Sequence, residues 1–152
     1  MRLTGAREVV LGMCLGALAQ TVLLWVLTAT GRFAAVTPWS LPGLLLIAAT
    51  ALFLHARSVK RRVAERSLAG VQAVRALALG RAAIAVGSLF GGAHLLYTLW
   101  FLPRISATQP LARVLAGGVT TVACALLVAA GLRLERACVD PDHGTDDDTP
   151  QV

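Results

Sequence analysis

The chain has 152 residues, of which 57% are hydrophobic and 14% charged, and its mean hydropathy is +0.72. Soluble domains carry roughly a quarter of their residues charged, so this balance excludes an ordinary water-soluble fold, and the long uncharged runs point to an integral membrane protein. The formal charge of +6 would suit nucleic acid only if basic residues shared a soluble face with interleaved aromatics. Here they flank apolar runs, the pattern of orientation signals and lipid-headgroup contacts, so no nucleic-acid partner is expected.

In chain order, Val9 to Thr30 is uncharged and forms the first expected span, about 9–30, with Gly12 and Gly16 spaced for close approach by a second helix. The next uncharged stretch, Phe33 to Ala56, is interrupted by Pro38 and Pro42, with Ser40 placed to cap a helix. That leaves a short second span, about 41–56, near ~24 Å at 1.5 Å per residue. Snorkelling of Arg57, Lys60 and Arg61, or local thinning of the bilayer, would absorb the mismatch. The basic segment continues with Arg62 and Arg66. Ser67 to Leu79 reads as a mildly amphipathic lead into a third span, about 81–102, uncharged from Ala82 to Leu102 and stopped by Pro103. Its small residues Ala83, Gly87 and Gly91 recur every four positions.

The fourth span, about 112–132, carries a similar row in Gly117, Thr121, Ala125 and Ala129. Beyond Cys138 the acidic tail, 139–152, has nothing with which to build a core and is expected to be disordered. Eleven of the fourteen lysines and arginines fall in the N-terminus, the 57–81 segment and the C-terminal end; Arg32, Arg104 and Arg113 lie on the other side. The positive-inside rule then places both termini in the cytoplasm. The expected fold is an all-α integral membrane bundle of four transmembrane helices over residues 1–138, in the inner (plasma) membrane.

His94 is the one ionisable side chain placed well inside a span, with Tyr97 and Thr98 within a turn. Two readings stand: a proton relay or substrate contact facing a cavity, or a neutral imidazole bonded to a hydroxyl or carbonyl of a neighbouring helix. No carboxylate lies within a span to pair with it, since Glu8, Glu65 and Glu135 fall outside. Gln20, Thr21, Thr120 and Thr121 offer interhelical hydrogen bonds. The rows Gly12–Gly16, Ala83–Gly87–Gly91 and Gly117–Thr121 mark helix packing, within one copy or between copies. Arg57, Lys60, Arg61, Arg62 and Arg66 suit lipid headgroups or an acidic partner. Cys14, Cys124 and Cys138 share no metal or disulfide spacing, and no catalytic motif is present, so neither cofactor, metal nor enzymatic activity is expected.

With the spans in place, the chain from about residue 5 to 141 resembles an uncharacterised actinobacterial family of small membrane proteins, a domain of unknown function. The resemblance rests on Pro38-Trp39, on Ala56-Arg57 with Arg61, on Arg75-Ala76-Leu77, on Leu102-Pro103-Arg104, and on Gly131 to Cys138 with Pro141 beyond. At Arg133, where the family would have an aromatic, this sequence departs. The resemblance implies no activity; genes of the family often lie near folate-pathway genes. Lys60, the single lysine among fourteen basic residues, agrees with a GC-rich bacterial source. The expected role is a non-enzymatic scaffold or accessory subunit, in contact with the lipid bilayer and with either a homo-oligomer or a larger membrane complex. The alternative is a small homo-oligomeric transporter or channel with His94 lining the path.

Overall fold

The computed structural model describes residues 4–31, 38–64, 70–104 and 108–138. The described residues form α1 (Ala6–Ala29), α2 (Ser40–Ala64), α3 (Gly70–Phe101) and α4 (Thr108–Ala137), with one 3-10 turn at Leu102–Arg104. Each helix is long and apolar enough to cross a membrane. The tail beyond Cys138, and Arg66 in the connection between α2 and α3, lie outside the described residues.

The helices outrun the apolar runs. α2 continues past Ala56 through Arg57, Lys60, Arg61 and Arg62, because nothing in that stretch breaks a helix and its basic side chains favour a helix C-terminus. Pro42 stands in its first turn, where a missing N–H removes no helical bond. α1 closes at Gly31, whose φ of 67° is the left-handed conformation that glycine adopts without strain.

The packing is layered rather than a closed square. α4 is central, α3 and α2 lie against it, and α1 packs on α3 alone among the described helices. Burial follows this order: 44% of the α4 span is buried but only 11% of the α1 span. Small side chains set the spacing where three helices meet: Ala49, Ala83 and Leu127 at one level, and Ala56, Val59, Ala76 and Leu134 nearer the ends of α2 and α4. Since lipid tails are as apolar as leucine, these contacts stabilise through close packing rather than through removal of surface from water.

Thr4, just before α1, bonds to Glu135 near the end of α4. The start of α1 and the end of α4 therefore lie at the same end of the molecule. The basic residues of α2 end there too.

Candidate functional site

The glycines bring backbones into contact on two faces of α3. Toward α1, a Cβ on Gly92 would run into the Met13 backbone, one on Gly16 into the Leu89 carbonyl, and one on Gly12 into the Ser88 hydroxyl. Toward α4, a Cβ on Gly87 would lie 2.8 Å from Val128 Cγ2 and 3.1 Å from the Cys124 carbonyl oxygen, and one on Gly91 would lie 3.3 Å from Cys124 Cβ. Gly117 of α4 faces Tyr97 and Thr98, while Gly80 and Gly131 face each other across the same seam. These glycines thus meet neighbouring helices of their own chain.

The fourth-span row does not stay on one face. Gly117 is buried and Thr121 half-buried, but Ala125 and Ala129 are exposed. Steps of four residues on a helix of 3.6 per turn rotate about 40° each, so three such steps carry the row off the seam. The buried stripe instead passes through Thr120, Cys124, Leu127, Gly131 and Leu134, in mixed steps of three and four.

Polar groups within the spans turn back on their own helices, and among the described residues Thr21, Thr120 and Thr121 do not make the expected interhelical bonds. The Thr21 hydroxyl donates to the Ala17 carbonyl at 2.8 Å, Thr120 to Ala116 at 2.7 Å and Thr121 to Gly117 at 2.9 Å. Thr98 likewise donates to the His94 carbonyl and Ser88 to that of Ala85. A β-hydroxyl always has the carbonyl one turn back within reach, and helices this close leave little room for a polar side chain to cross.

His94 follows the same rule. Its Nδ1 lies 3.0 Å from the Phe90 carbonyl oxygen and its ring stacks over Phe90, both on α3 itself. A ring nitrogen facing a carbonyl oxygen can only donate, so Nδ1 is the donor in that contact. The partner is thus a carbonyl of the residue's own helix, not of a neighbour. Tyr97 is buried, 5.0 Å from the Phe101 ring between centroids. Arg113 covers the same Phe101 ring, and its Nε has no hydrogen-bond partner among the described residues. His94 therefore leans one way along α3, while Tyr97 and Thr98 pack on α4.

The buried charge is elsewhere. Glu135 is 1% exposed, and its Oε1 accepts the Thr4 N–H at 2.9 Å and Arg81 Nε–H at 3.3 Å. The Gly80–Gly131 crossing makes this possible: with the backbones in contact there, Arg81, next to Gly80, and Glu135, one turn beyond Gly131, reach each other. One carboxylate so joins the start of the chain, α3 and α4. Cys138, just past the α4 span, has its thiol pushed up from the ordinary value by burial first and by the Glu135 carboxylate second, so it stays protonated and a poor nucleophile at neutral pH.

At the same end Arg57 and Arg133 both cover the Phe53 ring, at 4.9 and 4.8 Å from its centroid. Arg57 is thus held by a cation–π contact, and Arg133 makes the same contact from α4. Lys60 and Arg61 are exposed. No group of three or more His, Cys, Asp or Glu placed to hold a metal occurs among the described residues.

Four apolar helices, glycine-packed seams and a basic end make this a multi-pass membrane protein of the all-α class. Over residues 9–142 the chain matches the family described as protein of unknown function (DUF3180), and it belongs to that family. No curated protein and no solved structure matches it.

Proposed function

We propose that the protein is a non-enzymatic scaffold or accessory subunit of a larger assembly in the plasma membrane, with both termini in the cytoplasm. The observation that carries this reading is that the threonine and serine hydroxyls described above, and His94 through Nδ1, are turned onto their own helices within the spans. A conduit needs polar groups that face a shared path and remain available to a passing ion or substrate. Here Thr21, Ser88, His94, Thr98, Thr120 and Thr121 each bond to the backbone of their own helix.

One surface open to a neighbour is the outer side of α4. A Cβ on Gly118 would meet nothing within 4 Å, and Val122, Ala125 and Ala129 continue from it in steps of four and three, all exposed. Small residues in that spacing stay on one face and admit close approach by another helix. In native mass spectrometry of the tagged protein extracted in mild detergent, a different membrane protein accompanies it in fixed stoichiometry. Ala125→Phe removes that companion without lowering the melting temperature of the purified chain. Recovery of the chain alone, or of copies of itself only, sinks the accessory reading.

A further inference from the structure

At the end of the bundle away from Glu135, Arg113 has an aromatic partner but, among the described residues, no anion. Its guanidinium carbon lies 5.1 Å from the centroid of the Phe101 ring of α3, and that ring rests in turn on buried Tyr97. The stack stands one turn beyond the place where Gly117 meets Tyr97 and Thr98, so it closes the end of the α3–α4 seam. Stacking occupies the face of a guanidinium and leaves the N–H groups along its edge for an acceptor. Arg113 as a whole is half-buried, but its Nε is fully covered and has no hydrogen-bond partner among the described residues.

The chain holds no carboxylate placed to answer this charge. Its acidic residues are Glu8, Glu65, Glu135 and the aspartates from Asp140 onward. Glu135 lies about 33 Å along α4 from Arg113 at the helical rise per residue, and Glu8, in the first turn of α1, is at the Glu135 end. Glu65 directly follows α2 in the chain, and Asp140 follows α4. By sequence, the connections from α1 to α2 and from α3 to α4 contain Arg32 and Arg104 and no aspartate or glutamate, in described and remaining positions alike.

Depth decides which anion reaches this place. Arg113 is the last charged residue before the uncharged run from Val114 to Leu132, which spans about 28 Å, and Phe101 stands at the end of the run from Ala82 to Leu102. The stack therefore lies where hydrocarbon meets headgroups, the level of lipid phosphates. Trp100, Leu102 and Leu111 are exposed near it, as suits acyl chains and an interfacial aromatic belt. The side of α4 that carries Val122 is turned away, since Arg113 and Val122 stand about half a turn apart around the axis. A helix packed on that side leaves Arg113 to the lipid.

We infer that Arg113, stacked on Phe101, binds the phosphate of a membrane lipid at this end of the bundle, holding its oxygens with the edge of the guanidinium. The inference goes beyond the accessory role and does not depend on it. It differs from a diffuse attraction to basic residues because it needs the Phe101 ring as well as the charge.

The test reads the lipid locally, through Trp100. In the full chain with Trp25→Phe and Trp39→Phe, Trp100 is the remaining tryptophan. This parent, in maltoside detergent that contains no phosphate, is titrated with phosphatidylglycerol or diacylglycerol brominated near the headgroup, and quenching of Trp100 is followed. We expect phosphatidylglycerol to reach half-quenching at a roughly tenfold lower mole fraction than diacylglycerol. Arg113→Gln abolishes that preference, and Phe101→Leu, which keeps the charge, weakens it severalfold. Arg61→Gln, which removes the same charge from an exposed position at the other end, leaves it intact. Melting temperatures confirm that each variant is folded, and the comparison of the two lipids in the parent stands by itself. Equal quenching by both lipids in the parent overturns the inference, as does a preference kept in folded Arg113→Gln or lost equally in Arg61→Gln. A preference untouched by Phe101→Leu overturns the stacked geometry. Relief of the quenching by glycerol 3-phosphate overturns the assignment to a lipid, and no relief supports it.

Discussion

Gly92→Leu is expected to separate α1 from α3 and to lower the stability of the chain by about 3 kcal/mol, the upper part of the range for overpacked cores. Overpacking is mild where a flexible side chain can move aside, but here the obstacle is backbone, since a Cβ on Gly92 would occupy the place of Met13 main-chain atoms. α1 cannot shift to another partner, because α3 is the only described helix it touches. Gly118→Leu is the matched control: it is also a glycine within an apolar helix, but with open space around it, and it should change stability by less than about 1 kcal/mol. Reversible unfolding of the purified protein in detergent measures both. Equal losses would show that a leucine in place of glycine matters in any helix, and that the α1–α3 contact contributes nothing special.

The second large effect belongs to Glu135. Arg81→Ala leaves a carboxylate that is 1% exposed with the Thr4 amide as its remaining described donor. Breaking a fully buried pair costs about 3–5 kcal/mol, but the Arg81 side chain is 49% exposed and partly screened, so about 2 kcal/mol is expected. Glu135→Gln keeps an oxygen for the Thr4 N–H and abolishes the charge, at about 1 kcal/mol. The double variant should then lose clearly less than the two losses combined, since removing the charge also removes the need for its partner. Strict additivity in a double-mutant cycle would mean that the pair does not couple α3 to α4.

Both effects bear on what the sequence could and could not reveal. The four spans were legible because a soluble fold has little use for uncharged runs of that length, and the proline-broken opening before α2 placed its start within a residue of Ser40. The end of α2 was not legible from hydropathy, since charge stops a membrane span without stopping a helix; Arg57 to Ala64 are helical all the same. Glycines marked the seams of α3, but two faces interleave along it. Gly87 and Gly91 look to α4 while Gly92 looks to α1, a division that spacing alone leaves open. Glu135 was hidden by the same equation of charge with exposure. Extending the buried stripe of α4 one step beyond Gly131, in threes and fours, reaches Leu134 and Glu135 and would have flagged a carboxylate on the packed face. His94 drew attention by its depth, yet depth says nothing about which way a ring turns, and this ring lies along its own helix.

The claim on which the functional reading rests is that the spans hold no polar path. Proton flux into liposomes reconstituted with the purified chain, followed with a trapped pH dye under an imposed gradient, tests it most directly. Wild type and His94→Leu should both leak no faster than protein-free liposomes, with His94→Leu retaining the melting temperature of the wild type. Flux above that baseline in the wild type, abolished by His94→Leu in a chain that still folds, would contradict the reading and make His94 part of a conduit.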